Sequence, residues 1–253
     1  MLMLKTVEAL PFSCECARID WAHTSQKVRY NLHWGFGNGK LKKDGIASFN
    51  IPAFRLADGF KTCPMAGSCA LVCYALGNRY NMSNVKIPRD HNIAWLRTHS
   101  TSEFVDAAVE DINRLHKSWT RIRIHDSGDF YSEAYLDAWL DIAKQCPDME
   151  FYAYTKMISL VTRKREILPQ NFTVVQSVGG MQDRLIDKAY PHSVIFTSHD
   201  AMHHAGYEDG TKSDRPAFEG QIKIGLVYHG TKKLTKNNKG ILDARVRGIT
   251  WTL

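Results

Sequence analysis

Six short runs rich in β-branched and aromatic residues recur along this chain, at 46–52, 121–125, 150–155, 171–176, 193–197 and 221–228. No other feature restricts its fold so strongly. Helical segments are expected between several of them, at 101–118, 132–145, 157–167 and 180–189. The first opens on Ser100-Thr-Ser-Glu103, the pattern of a capping box, and then repeats Phe104, Ala108, Ile112 and Leu115 at helical spacing. The second places Tyr135, Leu136, Trp139, Leu140 and Ala143 on one face. Strands separated by helices need crossover connections, so the sheet is expected to be largely parallel. With six strand candidates rather than eight, the expected fold class is α/β, a partial (β/α)6 TIM-like barrel with a mostly parallel sheet. No low-complexity linker divides the 253 residues. A single barrel-like domain over 1–253 is therefore expected, with residues 1–45 as an N-terminal extension. Trp34-Gly-Phe-Gly-Asn-Gly39 in that extension reads as a hairpin or loop, since it lacks the spacing of a dinucleotide or phosphate fingerprint.

Composition narrows the function classes. Hydrophobic residues make up 44% and charged residues 23%, enough apolar side chains for a packed core, which excludes a disordered tail protein. No run approaches the roughly 18 apolar residues of a membrane span. Met1-Leu-Met-Leu-Lys5 lacks the basic start and cleavage site of a secretory signal, so a cytoplasmic location without a membrane partner is expected. The net charge of +7 is concentrated at 40–43, 163–165 and 232–239. No aromatic residues are interleaved there at stacking intervals, and no paired Cys/His fingers are present. Solvated faces and loop tips account for these clusters better than nucleic acid does, and a small-molecule substrate is the favoured partner. The oligomeric state is not legible.

Ligands of parallel α/β sheets gather at the carboxyl ends of the strands, and the polar residues fall there. Cys63-Pro-Met-Ala-Gly-Ser-Cys69-Ala-Leu-Val-Cys73 follows the first run. His125-Asp-Ser-Gly-Asp129 follows the second, Thr155-Lys156 ends the third, Gln176-Ser177 the fourth, and Thr197-Ser-His-Asp200 the fifth. Three thiols within eleven residues can converge on one centre. They suit an iron–sulfur cluster with one iron left open, since thiolate is its normal ligand. They can instead supply part of a zinc site, although structural zinc prefers two pairs spaced by two to four residues. Unligated cysteines are the third reading. Cys14 and Cys16 are compact enough to offer a fourth ligand or to be plain thiols, whereas Cys146, beside Pro147, reads as a packed small hydrophobe.

Asn50-Ile-Pro-Ala-Phe, the loop closing in Cys73-Tyr-Ala, then Arg121-Ile-Arg-Ile-His-Asp-Ser-Gly-Asp-Phe-Tyr-Ser132 and Phe151-Tyr-Ala-Tyr-Thr-Lys156 resemble the phage family called gene product 88 over about residues 45–200. The resemblance implies a viral origin, hence the host cytoplasm, more readily than a reaction. The layout is also similar to radical S-adenosylmethionine enzymes, in which a partial barrel carries a three-cysteine loop after its first strand. That resemblance implies a 4Fe-4S cluster whose open iron binds S-adenosylmethionine. It makes Ser127, Gly128 and Asp129 the counterpart of the motif that holds the methionine amino group. This loop departs from the usual C-x3-C-x2-C: its gaps are five and three residues, and Leu76 stands where a third cysteine would follow Cys69 and Cys73.

The expected metal ligands are therefore Cys63, Cys69 and Cys73, and the expected cofactor-binding residues are Ser127, Gly128 and Asp129. Asp129, His125, Lys156 and Asp126 are the expected catalytic set. One role is radical chemistry. The other is non-redox hydrolase or lyase work at an open iron, with a carboxylate or His125 as general base and Lys156 holding an anion. The competing class is a binding module, stapled by zinc or a cluster, that meets nucleic acid or a host protein. His199, Asp200, His203 and His204 lack the glutamate of a zinc-protease helix and read as a surface cluster. No Gly-x-Ser-x-Gly elbow supports a serine hydrolase.

Overall fold

A computed structural model describes residues 30–228. Cys14, Cys16 and the basic stretch 232–239 lie outside the described residues. The strands are β1 (Trp34–Gly35), β2 (Ile46–Phe49), β3 (Arg121–Ile124), β4 (Glu150–Thr155), β5 (Phe172–Ser177), β6 (His192–Phe196), β7 (Glu208–Asp209) and β8 (Lys223–Val227). They form one sheet in the order β1-β2-β3-β4-β5-β6-β8-β7. Among the described strands only the β1–β2 pair is antiparallel. The six expected runs are therefore β2 to β6 and β8, lying side by side in chain order in a mixed α/β, mostly parallel sheet.

The helices are α1 (Gly39–Lys43), α2 (Ser83–Thr98), α3 (Thr101–Leu115), α4 (Glu133–Gln145), α5 (Ile158–Arg163), α6 (His199–His204) and α7 (Arg215–Phe218). The capping box at Ser100 and Glu103 is formed, and Ser132 caps α4 by accepting from the Tyr135 N–H. Alternation along the strands divides the side chains between two layers. Ile122, Ile124, Phe151, Ala153 and Phe172 pack outward against Phe104, Ile112, Leu136 and Trp139 of α3 and α4. Ile46, Tyr152, Val175 and Ile224 face inward and form a second cluster with Leu41 of α1 and Ala217 of α7.

The sheet is curved. Ser213, beyond β7, donates to the Asp44 carboxylate, before β2, at 2.7 Å, and Lys40 Nζ donates to the Gly210 carbonyl at 2.7 Å. Short helices α1 and α7 thus plug the inner face near the amino ends of the strands. No ladder closes the sheet into a barrel among the described residues.

Three expectations change. Residues 30–45 do not stand apart as an extension: β1 joins the sheet, and Leu32, Trp34 and Leu41 are buried in the core. The helix expected over 180–189 reduces to a single 3-10 turn, Asp183–Leu185. There the Asp183 carboxylate accepts from the Gly179 and Gly180 N–H groups at 2.8–3.0 Å, an Asx-type arrangement that competes with helix. Basic residues at 40–43 and 163–165 are not simply solvated: Lys40 pairs with the buried Asp214, Arg163 and Lys164 with Glu133, and Arg165 with Asp187.

Candidate functional site

The turn that follows β3 is stitched to the end of β2. Asn50 Oδ1 accepts from the Asp126 N–H at 2.6 Å, and the Ser127 hydroxyl donates to the Ile51 carbonyl at 2.7 Å. Gly128 has φ +94, and a Cβ there would stand 2.2 Å from Ile51 Cγ1. Glycine is required on both counts. Ser127 and Gly128 therefore hold the turn in place, and the hydroxyl expected to serve a cofactor is occupied by Ile51.

His125 requires a correction. Its φ is +71, which reverses strand alternation and sends the ring outward. Nε2 lies 2.9 Å from the Tyr135 hydroxyl, the ring packs edge-on to Phe130, and Nδ1 is buried with no partner among the described residues. Burial, with the nearby Arg123 charge, pushes its pKa down to about 3. The imidazole is a neutral part of the aromatic layer behind the sheet, not a base in front of it. Asp126 is taken up by Arg89, whose guanidinium lies 3.1 Å from its carboxylate and 4.2 Å above the Tyr80 ring. Its backbone carbonyl accepts from the Tyr74 hydroxyl.

Asp129 is where the loops meet. Its N–H donates to the Thr62 carbonyl at 3.1 Å, which ties it to the residue before Cys63. Its carboxylate accepts from the Phe130 N–H at 2.7 Å, the Thr155 hydroxyl at 2.6 Å and the Lys156 N–H at 2.9 Å. Burial nevertheless raises its pKa above the ordinary carboxylate range. Lys156 is buried too. Its Nζ donates to the Ser177 hydroxyl at 2.8 Å and to the Ser177 and Val178 carbonyls at 3.3 Å, and among the described residues no carboxylate pairs with it.

The three thiols share this neighbourhood. Cys63, which accepts from the Phe54 N–H at 3.3 Å, is pushed up to about 12 by burial and then by the charge of Asp129. Burial and then Cys69 raise Cys73, while Lys156 pulls it down. Electrostatic reach thus runs from Asp129 through the three thiols to Lys156. Among the described residues, no three His, Cys, Asp or Glu side chains are gathered tightly enough to hold a single metal ion.

Sequence reasoning missed the second wall of this site. The Cys69 N–H donates to the Gly179 carbonyl at 2.9 Å, and the Met181 N–H to the Met65 carbonyl at 3.0 Å. Gly67 (φ +52) would bring a Cβ within 2.8 Å of the Gly180 carbonyl carbon, and Gly180 would bring one within 2.8 Å of the Met65 oxygen. The two backbones touch, and only glycines permit it. The signal was the Gly179-Gly180 pair just after a strand, with Asp183 to tie it. Cys146 is a buried free thiol capping α4, as expected of a packing residue. His199 pairs with Asp209 at 3.2 Å on the partly exposed α6 and stands apart from the thiols.

Fold and site together define a mostly parallel α/β protein with a three-thiol loop seated at the carboxyl ends of its strands. The chain belongs to the phage protein family described as Gene product 88, whose profile matches residues 28–245. It is 36% identical over 122 residues to the Gene 88 protein of Mycobacterium phage L5, and 34% identical over 122 residues to that of Mycobacterium phage D29. Each match covers 45% of this chain and 49% of the relative, so it spans about half the length of those proteins. No solved structure matches. No helix among the described residues is long and apolar enough to cross a membrane.

Proposed function

We propose that this chain is an iron–sulfur protein of the host cytoplasm in which Cys63, Cys69 and Cys73 hold a 4Fe-4S cluster with one iron left open. We read the curved sheet, with six parallel strands in chain order and a plug at their amino ends, as a partial (β/α)6 barrel. In this reading it is an enzyme similar to radical S-adenosylmethionine enzymes, acting on a small molecule.

The observation that carries the reading is a buried ammonium within electrostatic reach of half-buried thiols. Among the described residues Lys156 Nζ donates only to neutral oxygens, yet its charge acts on Cys73. A thiolate-bound cluster is anionic, and a cation fixed beside it in a low-dielectric site counterbalances that charge more strongly than one in water. Structural zinc prefers two close pairs of ligands, which this loop of more widely spaced thiols does not offer. A cluster takes three thiolates without drawing them to a single point. When bound, it would supply one-electron reduction and a Lewis-acidic iron.

The protein's own residues then divide the work. Asp129 locks the Cys63 segment to the β4 end through Thr62, Thr155 and the Lys156 N–H. Lys156 holds negative charge at the thiols. Gly67 and Gly180 keep the loop against β5 and narrow the approach of water. Ser127 and Gly128 are engaged with Ile51, so Asp129 Oδ2, which among the described residues accepts only the Lys156 N–H, is the acceptor for a cofactor amino group.

Anaerobic reconstitution with iron and sulfide tests this. The expected product is brown, with broad absorption near about 400 nm, and loses it in Cys63→Ser, Cys69→Ser and Cys73→Ser. A colourless protein with stoichiometric zinc sinks the cluster. Dithionite with S-adenosylmethionine should then release 5′-deoxyadenosine; none from an intact cluster removes the radical part.

A further inference from the structure

The inner face of the curved sheet carries more positive than negative charge. Lys40 and Arg123 share one buried carboxylate, Asp214, at 2.5 and 2.7 Å. Arg123 also donates through Nε to the His125 carbonyl at 3.2 Å, and among the described residues no acceptor is found for Nη2. Beside it on β4 stands Tyr154, its ring centroid 5.2 Å from the guanidinium carbon. Its buried hydroxyl has no hydrogen-bond partner among the described residues. Two residues on, the same face of β4 presents Lys156. Tyr74, next to Cys73, donates to the Asp126 carbonyl, one residue beyond the His125 carbonyl that Arg123 holds, which brings this group to the thiol loop.

Buried hydroxyls without partners are uncommon, and buried charge in excess of its counter-charge is costly. An oxyanion answers both at once. It can accept from the Tyr154 hydroxyl and the free edge of Arg123, and it cancels the surplus charge that Asp214 leaves. The open Nη2 donor suits a carboxylate or a phosphate oxygen equally.

We propose that Arg123 and Tyr154 form a binding subsite for a carboxylate- or phosphate-bearing small molecule on the inner face, beneath the loop of Cys63, Cys69 and Cys73. That the ligand is the substrate rests on the enzyme reading above. The subsite itself requires no cluster.

The test is calorimetric titration of the full chain, before and after anaerobic reconstitution, with inorganic phosphate and with succinate at matched ionic strength. One of the two should bind, and which one identifies the anion class. Tyr154→Phe should weaken that binding about tenfold, the value of one hydrogen bond to a charged group. In the ligand-free protein the same change should raise Tm by about 2–6 °C, because it deletes an unpartnered buried hydroxyl. Arg123→Lys keeps the charge beside Asp214 but loses the Nη2 donor, and should weaken binding by at least as much.

Binding of neither anion, or affinity unchanged in both variants, overturns the proposal. So does a fall in Tm for Tyr154→Phe, which would mean the hydroxyl is already satisfied. Anion binding that persists in a chain unable to take up iron and sulfide retains the subsite and removes the cluster. Cluster uptake without anion binding does the reverse.

Discussion

Asp214 offers the sharpest test of how the inner face is held together. It lies in the turn before α7, is 1% exposed, forms an ion pair with Lys40 at 2.5 Å, and accepts from Arg123 at 2.7 Å and the Tyr152 hydroxyl at 2.7 Å. Burial alone would raise its pKa, but Arg123 and then Lys40 outweigh that and hold it below the ordinary carboxylate value. Asp214→Asn keeps the shape and removes the charge, leaving two cations uncompensated on the inner face. Breaking a buried pair by removing one partner costs about 3–5 kcal/mol. With a urea m-value of about 3 kcal/mol/M, the unfolding midpoint should fall by about 1–2 M. Lys40→Met alone should cost far less, because it leaves Arg123 and Asp214 as a balanced pair. In the Asp214→Asn background, Lys40→Met should restore part of the lost midpoint, since one uncompensated cation has gone. Equilibrium urea unfolding of the four proteins forms a double-mutant cycle. A loss below about 1 kcal/mol for Asp214→Asn, or strictly additive losses in the double variant, would refute the charge argument. The native pKa lies below the unfolded one, so Asp214 stabilises above its unfolded pKa. That contribution should disappear as pH falls through the native value, and Asp214→Asn should lack this acid limb.

Two further outcomes follow from the turn after β3. Gly128→Ala adds a Cβ 2.2 Å from Ile51 Cγ1 at φ +94, so thermal unfolding should show a loss of about 2–4 kcal/mol; a loss under about 0.5 would mean that the β2 end yields freely. The His125 ring, with a native pKa of about 3 against an unfolded value of 6.5, should stay neutral in NMR titration down to about pH 4. Its contribution to stability is complete above the unfolded value and should be lost as pH falls from about 6.5 towards 3, and a ring titrating near 6.5 would show that it is not enclosed.

The six parallel strands were legible because each is a compact apolar run bounded by turn residues. Their neighbours were less so. β1 and β7 are two residues each, too short for any period. The 16-residue α2 escaped because only Arg89, Asn92 and Ile93 are buried and Pro88 lies inside it. Its Asn92 side chain bonds to His33 and Asn50 rather than presenting an apolar stripe. Cys63, Cys69, Cys73, Asp129 and Lys156 were singled out by residue type at strand ends, and they lie within electrostatic reach of one another. His125 was misread because regular alternation puts it on the Arg123 face, and one left-handed residue sends it to the other. Arg123 and Tyr154 were hidden inside strands, where nothing in the sequence separates a packed arginine from a binding one.

The seam between Gly67 and Gly180 also sets a timetable. The Cys69 N–H bonds to the Gly179 carbonyl across 110 residues of chain, so the thiol loop has no second wall until β5 and its following turn exist. At synthesis rates of about 5–20 residues per second, the three thiols wait about 6–22 seconds after Cys69 is made before Gly179 can meet them. During that interval they are open to oxidants and stray metal ions. The thiol loop thereby reaches its final shape on completion of the sheet rather than on its own synthesis.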